Sequence, residues 1–168
     1  IVEYLEEDYY TMSSFSSWGV PEELTLKPEI TAPGGNIYSV DGELSITNHY
    51  VTNSGTSMAT PHLAGLSAGV MQYIRENNLT QRTGLSARVL AQSLLLSTAE
   101  PVIEAETELP YSVRKQGAGL ANVSNAISSP TYVLVDGQPD GKVKFELGDD
   151  PERTGSYTLK FQVSNLTE

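Results

Sequence analysis

Ser57 is the residue best equipped for chemistry in this chain, because Gly55-Thr56-Ser57-Met58-Ala59-Thr60-Pro61-His62 sets a hydroxyl where a turn feeds into a helix. A serine hydroxyl is a weak nucleophile until a turn exposes it, a base takes its proton and donors meet the developing oxyanion. The segment can supply the exposure and some of the donors. Gly55 permits backbone conformations closed to other residues, and Thr56 can bond a free amide of the first turn. The opening amides of a helix lack internal partners and carry partial positive charge, which suits an anion. Pro61 comes about one turn in, where its missing N–H costs little.

The helix that must hold Ser57 reads as uncharged from Ser57 to Ile74, with Ala59, Ala64, Gly65, Ala68 and Gly69 interleaved among Leu63, Leu66, Val70, Met71 and Ile74. A helix apolar all round belongs in the middle of a domain, with neighbours pressed close. At roughly 27 Å it is too short and too glycine-rich to favour a membrane span. A plain core helix capped by its own serine is the other reading of the same residues.

Three ordered motifs choose between these readings. Gly55-Thr56-Ser57-Met58-Ala59-Thr60-Pro61-His62-Leu63-Ala64-Gly65 resembles the nucleophile signature of the subtilisin-like serine proteases, the subtilases. Upstream, Ser13-Ser14-Phe15-Ser16-Ser17-Trp18-Gly19 and Leu26-Lys27-Pro28-Glu29-Ile30-Thr31-Ala32-Pro33-Gly34 resemble the paired motifs that precede that serine. Downstream, Gln116-Gly117-Ala118-Gly119-Leu120-Ala121-Asn122-Val123 resembles the segment closing the catalytic domain in the large cell-envelope branch. The likeness runs from Met12 to Ile127, and departs at Val20-Pro21, where many relatives have Gly-Pro, and at Glu29, where Asp is commoner.

The resemblance implies that Ser57 is the acylating serine, that its own N–H is one oxyanion donor, and that Met58 lines the leaving-group side of the pocket. In this family the triad aspartate and histidine precede the serine. Asp41 and His49 stand in that order, but eight-residue gaps leave no room for the crossovers that separate triad members in this fold, so both read as turn or loop residues. His62 lies about 140° around the helix from Ser57 and reads as a buried histidine bonded to backbone. Asn36, Asn48 and Asn53 read as turn residues rather than as the family's oxyanion asparagine. The chain therefore reads as the nucleophile-bearing part of a catalytic domain whose base, acid and most of whose cleft lie elsewhere. The expected function is serine endopeptidase, with a polypeptide substrate and the remaining half of the catalytic domain as partners. The alternative is a non-catalytic subtilase-like scaffold serving adhesion or interaction.

A net charge of −11 argues against nucleic acid and gives no basic patch for an anionic membrane. With no cysteine there is neither disulfide nor thiolate metal site, and no cofactor or metal is expected. The acidic groups Glu3, Glu6, Glu7, Asp8 and Asp149, Asp150, Glu152 lack EF-hand spacing and read as solvated. Ser112-Val113-Arg114-Lys115 matches an S-x-x-K motif but lacks its companions and reads as a loop. A secreted or bacterial cell-envelope location is expected.

The expected architecture is α/β, a subtilisin-like parallel-sheet layer with buried helices forming part of a domain, followed by a β-rich fibronectin-like segment. Residues 1–129 take the first part and residues 130–168 begin the second, a fibronectin type III-like sandwich. Ile1 to Tyr10 reads as a short strand or helix end. Short strands are expected at Ile30 to Ala32, Ile37 to Val40 and Ile46 to Val51, with Asp41-Gly42 as a hairpin turn. Helices are expected from Ser86 to Thr98, with Ser86 as its cap, and from Asn122 to Ile127. Beyond Pro130 the expected strands are Thr131 to Val135, Lys142 to Leu147 and Tyr157 to Val163.

Overall fold

The computed structural model describes residues 11–19, 25–42, 49–147 and 150–167. In chain order the elements are β1 (Ile37–Val40), β2 (Tyr50–Asn53), α1 (Thr56–Glu76), α2 (Leu79–Thr83), α3 (Ala87–Ser97), β3 (Ile103–Glu104), β4 (Leu109–Pro110), α4 (Val113–Gln116), α5 (Val123–Ser128), β5 (Thr131–Val135) and β6 (Phe161–Asn165). The expectations for Ile1 to Tyr10, Val20-Pro21, Asn48, the first acidic group and Asp149 fall outside the described residues.

Caps fix where the later helices begin. The Ser86 hydroxyl accepts the Val89 N–H at 3.3 Å and opens α3, and Asn122 Oδ1 accepts the Asn125 N–H at 3.1 Å and opens α5. From that start α3 turns Leu90, Ala91, Leu94 and Leu95 inward, a stripe at helical spacing. They meet Val70 and Ile74 of α1, Leu79 of α2, Ala126 of α5, Tyr132 of β5 and Leu166 in one core. Val70, Ile74, Leu90 and Leu94 are fully buried, each worth roughly 1.5–3 kcal/mol against exposure.

β5 pairs antiparallel with β6 in the register Val133↔Val163 and lies on α3. Buried Ser93 clasps the two, its hydroxyl donating to the Val133 carbonyl at 2.5 Å and accepting the Val133 N–H at 3.0 Å. The expected strand at Lys142 to Leu147 makes no ladder. Its alternating side chains bond elsewhere: Lys142, Lys144 and Glu146 reach residues 26–29, while Phe145 meets Phe161 edge-on. The last expected strand is shifted toward the C-terminus, to Phe161–Asn165.

The parallel layer is reduced to one bridge among the described residues, Thr31 beside Leu120, with Glu100 antiparallel on Leu120's other side. Thr31 N–H bonds the Gly119 carbonyl at 2.8 Å and Ala121 N–H bonds the Thr31 carbonyl at 2.9 Å. Parallel pairing needs a long crossover, and α1 to α4 supply one between Thr31 and Leu120. β1 and β2, joined by residues 41–49, return antiparallel instead, with Ile37 opposite Asn53 and Val40 opposite Tyr50.

Gln116 and Gly117 show why their motif has its residues. Gln116 is buried, and its amide accepts the Val102 N–H at 2.7 Å and donates to the Val102 and Tyr111 carbonyls at 3.3 and 2.6 Å. Gly117 (φ 65°) lies against residue 29, where an added Cβ would stand 2.4 Å from the Glu29 carbonyl. The segment expected as a loop opens a helix: Ser112 caps α4 by accepting the Arg114 N–H at 3.3 Å, Val113 to Lys115 lie within it, and Lys115 sits over the rings of Trp18 and Tyr111.

Candidate active site

β2 delivers the chain through Ser54 and Gly55 into α1, so Ser57 is the second helical residue, one position further in than expected. Gly55 takes the cap position in a positive-φ conformation that side chains rarely adopt (φ 156°, ψ 164°), with no side-chain cap, and Thr56 is helical rather than capping. Glycine in place of a side-chain cap costs a helix start only a few tenths of a kcal/mol. The first turn also holds no acidic residue, and Pro61 removes the amide that would bond the Ser57 carbonyl.

Contacts from residues 33–36 compensate. Gly55 N–H donates to the Gly34 carbonyl at 2.8 Å, and Asn36 N–H donates to the Ser54 hydroxyl at 2.8 Å. Gly34 packs so closely that an added Cβ would lie 2.7 Å from the Gly55 carbonyl oxygen and 3.1 Å from the Ala59 Cβ. This close approach gives Pro33-Gly34 a role that turn chemistry alone did not suggest.

Ser57 is exposed, and among the described residues no side chain is bonded to its hydroxyl and no carbonyl accepts its N–H. Hydroxyl, free amide and the positive end of a 21-residue helix thus coincide. Met58 beside it is half-buried. A groove of about 750 Å³ follows the face of Thr56, Ala59, Thr60 and Leu63 toward Met12, Ile30 and Pro33, with Ser57 off its wall.

Neither histidine reaches Ser57 as a base. His49 precedes β2, about 16 Å along the extended chain from Ser54, and its carbonyl accepts the Asp41 N–H at 2.8 Å to close the far end of the hairpin. His62 bonds the Pro33 carbonyl through Nδ1 at 2.8 Å. Its backbone bond is as expected, but the ring is exposed rather than buried. Asn36 is a left-handed turn residue (φ 52°), whereas Asn53 belongs to β2 and pairs with Ile37. Among the described residues no group of three His, Cys, Asp or Glu side chains could hold a metal ion.

The expected burial of α1 is not met. Val70 and Ile74 are buried, while Ala64, Gly65, Ala68 and Met71 are exposed, because α2, α3 and α5 cover only one side of the helix. No helix among the described residues is long and apolar enough to cross a membrane.

Glu29 pairs with Lys27 at 2.8 Å, Lys142 at 3.1 Å and Lys144 at 3.4 Å. Partial burial raises its carboxyl pKa, but the Lys27 and Lys142 ammonium groups outweigh that and hold it below its ordinary value. Burial likewise opposes ionisation of Glu146, and Lys144 with the Leu26 N–H overcomes it. Asp150 accepts from the Thr154 and Gly155 amides, a local turn, and Glu152 is exposed.

The subtilase family model matches residues 1–124. The PI-type proteinase of Lactococcus lactis subsp. cremoris is 33% identical over 168 residues, covering 94% of this chain and 8% of that protein. The C5a peptidase of Streptococcus pyogenes is 34% identical over 133 residues, covering 79% of this chain and 11% of that protein. A solved structure of the Prenylagaramide maturation protease PagA is 25% identical with a TM-score of 0.45, covering 68% of this chain and 36% of that one. The chain thus spans 8–11% of the length of the two curated relatives. Matched over the stretch that contains the Ser57 turn and the braces behind it, this chain belongs to the subtilase family.

Proposed function

We propose that Ser57 is the acylating nucleophile of a serine endopeptidase whose histidine and aspartate come from polypeptide outside these 168 residues. The observation that carries it is an exposed serine at the second position of α1, its N–H unpaired among the described residues, in a subtilase-family chain. The hydroxyl oxygen attacks the scissile carbonyl while its proton passes to the incoming histidine. The oxyanion meets the Ser57 N–H, the leaving amine takes the proton back, and water releases the acyl group. Both histidines of the sequence are placed otherwise, His49 at the far end of the hairpin and His62 on Pro33, so the base must be supplied.

The uncovered side of α1 fits the remaining half of the catalytic domain, because small residues such as Ala64, Gly65 and Ala68 admit close backbone approach. Polypeptide is the substrate, and the setting we propose is secreted or at the cell envelope. Residues 130–168 open a fibronectin type III-like unit, supported by the change from helices to antiparallel strands at β5 and β6.

Fluorophosphonate labelling of the full-length protein tests the assignment. The expected result is a single adduct at Ser57, lost in Ser57→Ala, with no peptide hydrolysis by the 168-residue chain alone. A folded full-length protein that never labels is instead a non-catalytic scaffold, and turnover by the isolated chain places the base within it.

A further inference from the structure

The first turn of α1 lacks a side-chain cap, an acidic residue and the Pro61 amide, yet it must hold Ser57 steady. The consecutive carbonyls of Pro33 and Gly34 meet this helix about two turns apart, at His62 and Gly55. The Gly34 carbonyl accepts the Gly55 N–H at 2.8 Å, and the Pro33 carbonyl meets His62 Nδ1, also at 2.8 Å. A carbonyl can only accept, so Nδ1 carries the proton and donates. Ser57 lies between the two anchor points.

We infer that His62 is a positioning residue: through Nδ1–H it ties the second turn of α1 to Pro33, and with the Gly34–Gly55 bond it clamps the turn that aims the Ser57 hydroxyl. This rests on Ser57 being the nucleophile. His62 takes no part in proton transfer. Its effect runs through geometry, and a reacting atom misplaced by about 1 Å loses on the order of 10²-fold in rate.

The chemistry of the side chains supplies the test. The Asn side-chain nitrogen occupies the place of His Nδ1, whereas the Gln nitrogen occupies that of Nε2. His62→Asn therefore keeps the donor and His62→Gln moves it, at comparable polarity. In the full-length protein, fluorophosphonate acylation of Ser57 is expected to slow roughly 10–100-fold in His62→Gln and His62→Ala and to stay within about 3-fold of wild type in His62→Asn. Peptide kcat should follow the same order with KM unchanged, and melting temperatures are measured alongside.

If His62→Ala does not fold, the Asn and Gln variants decide. Equal rates in those two, or a wild-type rate in folded His62→Ala, overturn the role of Nδ1. Wild-type protein that acquires no adduct at Ser57 overturns the nucleophile assignment beneath it, a separate outcome.

Discussion

Gly34→Ala probes the contact on which the Ser57 turn leans. The new methyl carbon would stand 2.7 Å from the Gly55 carbonyl oxygen, where ordinary contact begins at 3.4 Å, so backbone must part by about 0.7 Å. Ala59 blocks retreat along the helix, since its Cβ would lie 3.1 Å from the same atom. Parting the segments by that amount stretches the 2.8 Å Gly55–Gly34 hydrogen bond to about 3.5 Å, the limit of a useful bond. Overpacking of this kind costs about 1–3 kcal/mol. Taking on the order of 10²-fold per ångström of misplacement, acylation of Ser57 should slow roughly 10–30-fold. The assay is fluorophosphonate labelling rate together with urea unfolding of the full-length protein. Gly35→Ala is the control, because its methyl would meet only the Ser13 hydroxyl oxygen at an ordinary 3.5 Å. A Gly34→Ala protein that labels at the wild-type rate, with stability lowered as expected, would falsify the coupling between this contact and the nucleophile. Unchanged stability refutes the close approach itself.

Gln116→Leu keeps the bulk but strands the Val102 N–H and the Val102 and Tyr111 carbonyls; at about 1–3 kcal/mol for an orphaned buried group, urea unfolding should show a loss of roughly 2–5 kcal/mol. A loss under about 1 kcal/mol would mean that water replaces the amide. Glu29 and Glu146 have lowered pKa values, so the stability they add is present above their ordinary value of 4.5 and disappears as the pH falls through the lower folded values. Amide exchange at Leu26, corrected for intrinsic pH dependence, should show protection at pH 7 and progressive loss below about pH 4.5. Protection that is flat down to pH 3 excludes the ionic clasp.

Local signals proved easiest to read. Ser86 caps where expected because a cap is decided by neighbours three residues away, while Asn122, expected to begin the last helix, caps it. Ile37–Val40 is a strand as expected, but its partner is Tyr50–Asn53 rather than Ile46 to Val51, because the two are joined by residues 41–49 and not by a two-residue turn at Asp41-Gly42. α2 carries little signal in five residues, and its ends are set by Asn78 and Gly84 in left-handed conformations. Alternation at Lys142 to Leu147 was read as ladder pairing, but period two records only which side each residue faces. Here the lysines and Glu146 face residues 26–29, and the segment stays outside the sheet.

The apolar pattern of α1 states that something must cover every side of it, but not what supplies the cover; among the described residues α2, α3 and α5 cover the Val70–Ile74 side, while Ala64, Gly65 and Ala68 are exposed. The same distinction governs the site. The place of Ser57 at a helix start was legible because a turn followed by a helix is a local pattern. The braces were not, because Pro33 to His62 and Gly34 to Gly55 join positions 29 and 21 residues apart, and no spacing rule marks such pairs. Their physical logic follows from what the helix start lacks. With no side-chain cap, no first-turn carboxylate and a proline in its second turn, α1 supplies few braces of its own, and residues 33–36 add three hydrogen bonds, two of them accepted by backbone carbonyls. A stronger helix start built on an acidic cap would have placed a negative charge where the proposed mechanism forms its oxyanion. Bracing from behind leaves the positive end of the helix open, as that proposal requires.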